Sequence, residues 1–412
     1  MTRRRRGRAA GGAVLTTVTA FGVLAGVSLA GAGPAGAAPA GSRLAPGVTY
    51  RHFDVPAAAG TARAHLVTVD LADPHVHVGL LYPGTVAARA TVSRLAGSAG
   101  AVAGVNGDFF DITETQHPGV EATGAPVGPA VAGGAVLKAA VPKGQRFGPA
   151  LPAGGSTRDV FGVGTDGRAR LDRLSLSGSV GTPEGKLPLK GLNQYALPVD
   201  SVGAFTARWG SASRVRAVCG TDSRRSAPCS GDTYEVKVRG GRVVSVSDAP
   251  GTGTIPAGTT VLVGREAGAR RLRELSVGDP VDVTHTLVAS SSGVPYAFAI
   301  GGFPVLRDGT PLSGLDSTTS AVRTAVGFKD GGRQLLLLAL DGAAAYRRGL
   351  TVAEEARTMR SLGATDAFNL DGGGSTELVT RDTGASSVSV RNHPSGGSER
   401  PVPNGIGVFS SP

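Results

Sequence analysis

The chain has 412 residues, 41% of them hydrophobic, 18% charged and 5% aromatic, with 64 Gly and 26 Pro. That balance supports a globular core and excludes a disordered or collagen-like chain, because the glycines follow no three-residue period. Five of the eleven net positive charges stand in one block, Arg3, Arg4, Arg5, Arg6 and Arg8, and the other arginines form no nucleic-acid-binding motif, so nucleic acid is not an expected partner.

In chain order, the N-terminal arginines precede an apolar stretch through Ala32 and then Ala35-Gly36-Ala37, a small-residue cleavage pattern. Residues 1–37 therefore read as a signal peptide, which implies a secreted protein with no stable membrane span once the peptide is removed. An uncleaved anchor is the competing reading. Residues 38–47 are expected to form a disordered lead-in, and residues 48–412 one large domain.

Within that domain short apolar runs alternate with Gly, Pro and Asp-Gly punctuation, the grammar of strands and hairpins. A short helix is expected over Ala90–Leu95, stopped by Gly97, before the apolar run Ala101–Val105. Residues 155–294 form a β-rich middle. They hold the two cysteines, Cys219 and Cys229, which an oxidising compartment would join as a disulfide. Such a bridge removes roughly 2–3 kcal/mol of unfolded-chain entropy.

Asp232–Ser247 alternates Tyr234, Val236 and Val238 with polar residues, turns at Gly240-Gly241 and returns through Val243 and Val246, predicting a hairpin. Asp308-Gly309 and Asp330-Gly331-Gly332 are further turns. The second feeds Gln334–Leu340, whose unbroken leucines predict a strand buried on both faces. Thr351-Val352-Ala353-Glu354 is a capping box that should start a helix ending at Gly363. Strand, helix and strand from Leu335 to Leu370 read as a β-α-β unit. The expected fold class is α+β, a β-rich mixed sheet with few helices in a single large catalytic domain.

The phosphate-binding loop of nucleotide hydrolases, the H-E-x-x-H metal motif and the G-x-S-x-G nucleophile elbow are all absent from the sequence. His75 and His77 alternate on one strand face, but two histidines without a third ligand make a weak metal site. The informative segment is Phe368-Asn369-Leu370-Asp371-Gly372-Gly373-Gly374-Ser375. It places a carboxylate at a strand end, followed by backbone N–H groups that can converge on an anion; a plain glycine-rich turn is the alternative. Asn106-Gly107-Asp108 follows a second apolar strand, and Asp341 a third. Arg323 lies between apolar residues, where its guanidinium requires an anionic partner: Asp371, a substrate phosphate or a structural acid.

Asn106-Gly107-Asp108-Phe109-Phe110, Gly301-Gly302-Phe303-Pro304, Arg323-Thr324-Ala325-Val326-Gly327, Leu340-Asp341-Gly342, the Leu370–Ser375 segment and Arg400-Pro401-Val402-Pro403-Asn404 together resemble the phosphodiester glycosidase family, in order, over roughly residues 60–409. The resemblance implies hydrolysis of a sugar-1-phosphodiester, on a glycan or cell-wall polymer, to free sugar and a phosphomonoester.

Glycoside cleavage commonly uses two carboxylates around an oxocarbenium-like transition state, and a phosphate leaving group needs charge neutralisation more than protonation. Asp371 is then the first catalytic carboxylate, with Asp341 or Asp108 as its partner. Arg323, Thr324, Gly372, Gly373, Gly374 and Ser375 would hold the phosphodiester, and Asn106 and Asn404 would position it. Two other classes remain open: a glycan-binding protein without turnover, and a phosphodiesterase cutting P–O with a divalent cation held by several aspartates. No cofactor is assigned otherwise.

Overall fold

The computed structural model describes residues 41–411, so the expected signal peptide at 1–37 and the first residues of the lead-in lie outside the described residues. From Gly41 onward the chain forms one unit built on three sheets and three helices, α1 (Val92–Ala99), α2 (Ala267–Leu272) and α3 (Val352–Ser361). Strand outweighs helix, and one of the sheets is mixed, which is the expected β-rich α+β class.

An eight-stranded antiparallel sheet forms the centre. Its strand order is Ser42–Ala45, Val48–Ala57, Gly60–Asp70, Gln334–Leu340, Thr324–Lys329, Asp366–Asn369, Phe303–Arg307 and Thr310–Pro311. Ser42–Ala45 was expected in the disordered lead-in; it instead pairs with Val48–Ala57 through a turn at Gly47, whose φ of 64° suits glycine.

The run Leu335–Leu340 shows why a continuous apolar strand belongs in the middle. Leu335, Leu337 and Ala339 face a core shared with Val67, Val105, Ile406 and Phe368, while Leu336, Leu338 and Leu340 face a second core shared with Ala356 and Met359 of α3. Successive side chains point to opposite faces, so both faces must be covered. The five-stranded sheet covers the first, in the order Ser389–Val390, Leu378–Thr380, Ala103–Asn106, Gly405–Ser410 and Val76–Leu81.

Gln334–Leu340 and Asp366–Asn369 both run antiparallel to Thr324–Lys329. They are therefore parallel to each other with that strand between them, and α3 makes the crossover. The capping box forms as expected: Thr351 accepts from Glu354 N, and the Glu354 side chain accepts from Thr351 N.

Helix α1 starts later than expected and passes Gly97. Ala90 is drawn into a backbone pair with Val402, Thr91 supplies the cap, and Gly100 at φ 75° ends the helix.

The third sheet has eleven strands. Its path runs from Arg242–Ser247 through Thr233–Arg239, Thr259–Arg265, Val202–Phe205, Gly185–Leu192, Ala169–Thr182, Asp159–Gly164, Tyr296–Gly301 and Ala130–Ala132 to Ala135–Lys138, with Asp282–Ala289 beside Ala169–Thr182. Gly185–Leu192 and Val202–Phe205 are parallel. The hairpin expected at 232–247 is present, with Gly240 and Gly241 both at positive φ. Cys219 and Cys229 are disulfide-bonded. His77 stacks on Phe409, and no group of three His, Cys, Asp or Glu among the described residues is arranged to hold a metal. No helix among them is long and apolar enough to cross a membrane.

Candidate active site

The three sheets meet at the end of the strand Ala103–Asn106. Asn106 is fully buried and joins two of them: its Oδ1 accepts from Thr324 Oγ1 at 2.7 Å and from Glu377 N at 3.1 Å, and its Nδ2 donates to the Asp371 carbonyl at 2.7 Å. Asp371 N donates to the Gly107 carbonyl at 2.8 Å. These bonds fix Asp371 beside the turn that carries Asp108. Asn106 and Thr324, expected to bind substrate, thus spend these polar groups on holding the framework.

Asp108 is buried between sheets. Its N–H donates to Asn404 Oδ1 at 2.9 Å, and its Oδ2 accepts from Gly128 N at 2.6 Å, while Oδ1 has no partner. The glycines at 128 and 301 make room for this carboxylate: a Cβ on Gly301 would lie 2.4 Å from Asp108 Oδ2. Lys138, at the end of Ala135–Lys138, is fully buried and donates to the carbonyls of Val127, Gly128 and Ala139. Its charge bears on Asp108. Burial pushes Asp108 up to about 6 against the pull of Lys138, and burial pushes Lys138 down to about 7 against the pull of Asp108.

Asp371 is half-buried, with part of its surface still reached by solvent. The protein packed around it nevertheless pushes its carboxyl up to about 6, against the Ser375 hydroxyl, the Gly372 N–H and the charge of Arg400; the negative charge of Asp108 adds to the rise. Asp108 and Asp371 therefore act on each other electrostatically.

Two arginines share this field. Arg146 lies with its guanidinium 4.5 Å from the Phe109 ring centre, and one of its terminal nitrogens, Nη2, is buried without a partner. Burial lowers it to about 10, while Asp108, Tyr195 and Asp371 pull it back up. Arg400 donates from Nη1 to Ser375 Oγ at 3.3 Å and packs on Gly374. It also lines a groove of about 640 Å³.

Other expected site residues are placed differently. Arg323 does not pair with Asp371. Its Nε donates to the Leu350 carbonyl at 3.0 Å and its Nη2 to the Thr319 carbonyl at 2.8 Å, and the acid that feels its charge is the buried Glu355 of α3. In the Gly372–Gly374 turn, two of the three N–H groups are committed within the protein. Gly372 N donates to Asp371 Oδ1 at 3.0 Å and Gly373 N to the Val322 carbonyl at 2.8 Å.

Asp341 belongs to a separate polar cluster. Its oxygens contact His65 Nε2 at 3.1 Å, His393 Nδ1 at 2.9 Å and Ala343 N at 2.7 Å, and Tyr50 closes the chain on His65 Nδ1 at 2.8 Å. Burial alone would raise this carboxyl, but the bonds from His393, Ala343 and His65 outweigh it and hold Asp341 below its ordinary value.

Lys138, Arg146 and Arg400 received no role from sequence. Arg400 stands inside the Arg400–Asn404 motif and was within reach. Lys138 closes the apolar run Ala135-Val136-Leu137, a hint of burial, whereas Arg146 lies in a polar loop with no local signal.

Asp371, the glycine turn and Arg400 fall in the part of the chain that a family comparison matches. Residues 232–409 match the phosphodiester glycosidase family. The matched part holds Asp371, Arg400 and Asn404, and the turn with Asp108 lies N-terminal to it.

Among solved structures, a hypothetical protein from Synechocystis is similar with TM-score 0.66 at 21% identity, over 89% of this chain and 62% of that one. This chain thus spans about three fifths of that protein. An exported-protein candidate from Burkholderia pseudomallei K96243 has TM-score 0.63 at 23% identity, over 85% of this chain and 74% of that one. These two likenesses concern the fold. The catalytic domain of zebrafish N-acetylglucosamine-1-phosphodiester alpha-N-acetylglucosaminidase has TM-score 0.43 at 15% identity, over 90% and 87% of the two chains. No curated protein matches the chain.

Proposed function

We propose that the protein is a secreted hydrolase of sugar-1-phosphodiesters that cleaves the anomeric C–O bond. The observation that carries this reading is the pairing of Asp108 and Asp371, both pushed up to about 6, inside a field supplied by Arg146 and Arg400. The phosphodiester glycosidase match over residues 232–409, which contains Asp371 and Arg400, supports the reaction class.

In this scheme water attacks the anomeric carbon, a carboxylate accepts the water proton, and the C–O bond electrons leave with the phosphate as a monoester. Asp371 suits the base, because a carboxyl near 6 is ionised at neutral pH yet basic enough to take a proton. Asp108, a buried carboxylate whose charge reaches Asp371, suits stabilising through its field the positive charge that develops on the sugar ring. The guanidiniums of Arg146 and Arg400 take up charge on the departing phosphate, so no strong general acid is required. Asn106, Asn404 and Thr324 position these groups, and Lys138 keeps Asp108 from rising further. The substrate class is a sugar-1-phosphate ester on a glycan or cell-wall polymer, consistent with the signal-peptide pattern at 1–37.

The test is hydrolysis of a panel of sugar-1-phosphodiesters, beginning with α-N-acetylglucosamine-1-phospho-methylmannoside, in H₂¹⁸O, with products read by mass spectrometry. Label in the released sugar is expected. Label in the phosphate, with activity lost in EDTA, would assign a metal-dependent phosphodiesterase instead. Binding of the panel without any turnover would assign a glycan-binding protein.

A further inference from the structure

The groove that Arg400 lines is also bordered by Arg89, Ile112, Thr123 and Ser211, not by Asp108 or Asp371, and holds about 640 Å³. None of its lining residues is Asp or Glu, so two arginines border one open space with no acid among its lining residues. Volumes of this size accommodate a sugar or polyol unit.

Arg89 is held in place by packing alone. Its guanidinium lies 5.7 Å from the Phe110 ring centre, and its stem rests on Gly124, where a Cβ would come within 2.8 Å of Arg89 Nε. Among the described residues it makes no side-chain hydrogen bond and no ion pair, unlike Arg214, which is bidentate to Glu235. The wall beneath it is fixed: Asp111 Oδ2 accepts from both Thr123 N and Thr123 Oγ1 at 2.8 Å, and Gly124 N donates to the Asp111 carbonyl at 3.0 Å. A positioned, donor-rich and unpaired guanidinium in an acid-free groove is suited to an anionic oxygen cluster.

Arg400 gives the groove a direction. It bonds Ser375 beside Asp371 at one end and lines the groove at the other, whereas Asp108 and Asp371 do not line it. In the scheme above, where Arg400 takes up charge on the departing phosphate, the groove on its other side is the space open to the leaving group.

We infer that Arg89 forms a second phosphate subsite, so that the substrate is an oligomeric phosphodiester whose leaving group carries a further phosphate. This rests on the sugar-1-phosphodiester reading above and extends it to the substrate's repeating charge.

The experiment compares wild type and Arg89→Gln on two substrates, one with a neutral leaving group and one whose leaving group bears a second phosphodiester. The expected loss of kcat/KM on the second is at least about tenfold greater than on the first, and falls on KM, as for one charge-assisted hydrogen-bonding group. Equal losses on both substrates would overturn the subsite.

If neither substrate turns over, the catalytic reading fails and the subsite is tested by itself. Calorimetry then measures binding of tri(glycerol phosphate) to the folded wild-type and R89Q proteins, with folding checked by circular dichroism. A roughly tenfold weakening in R89Q at low salt supports the subsite, while equal binding, or none, overturns it.

Discussion

Gly374→Ala places one methyl group against the residue that the scheme assigns to the leaving phosphate. The new Cβ would lie 2.3 Å from Arg400 Nη2, 2.6 Å from Cζ and 3.1 Å from Nη1. Carbon prefers contacts near 3.5 Å, so the guanidinium must retreat by about 1 Å. The clash is with the far end of a flexible side chain, and Gly374 does not lie in the left-handed region, so the backbone accepts alanine without strain.

The fold should therefore be unaffected, with a Tm within about 2 °C of wild type. Moving a positioned charge by this distance is expected to lower kcat/KM on a sugar-1-phosphodiester by roughly 100-fold. The retreat also withdraws a positive charge that stabilises ionised Asp371, so the acid limb of the pH–rate profile should move upward from about 6. The assay is a pH series of kcat/KM together with thermal denaturation. Full activity with an unshifted limb in a folded G374A protein would refute the role given to Arg400.

The pH dependence of wild type is itself informative. Asp108 and Asp371 both work ionised, and both are pushed up to about 6, so kcat/KM should fall below pH 6 with a slope steeper than one proton; a flat profile from pH 5 to 7 contradicts this. Asp371→Asn and Asp108→Asn should each lose roughly 10²–10⁴-fold in kcat/KM while remaining folded. Arg323→Gln, in contrast, removes donors from the Leu350 and Thr319 carbonyls and a neighbouring charge from Glu355. It should lower Tm and leave KM near wild type, and a selective rise in KM would return Arg323 to the substrate.

Glu377 is pushed up to about 9 by burial and by Glu399 beside it. A carboxyl whose folded value exceeds its unfolded one stabilises the protein at low pH and loses that contribution as pH rises toward the folded value. Glu377→Gln should therefore raise Tm by about 2–4 °C at pH 8.5 and have little effect at pH 5. An equal change at both pH values would argue against this account.

The local elements were legible because their causes are local. The Thr351–Glu354 capping box, the Gly240-Gly241 turn and the doubly buried Leu335–Leu340 strand each follow from residues within a few positions of one another. Glycines were less telling: Gly97 lies inside α1, because the pairing of Ala90 with Val402, more than 300 residues away, set where that helix begins, and Gly372 and Gly373 turn their N–H groups to Asp371 and Val322.

At the site, sequence identified Asp371, Asp108 and Asn106 as polar residues following apolar strands, added Asn404 through the family resemblance, and left the partner of Asp371 open between Asp341 and Asp108. The tertiary structure brings the charge of Asp108, and not that of Asp341, to bear on Asp371. Asp371 is joined to Asn106 and Gly107 by hydrogen bonds across two sheets, whereas Asp341 is drawn off by His65 and His393. The direction in which Arg323 points, the burial of Lys138 and the approach of Arg146 and Arg400 depend on long-range packing, and nothing in the neighbouring residues encodes them. The strand-end carboxylates are dictated by chain pattern; the electrostatic field in which they titrate is created when the three sheets close around them.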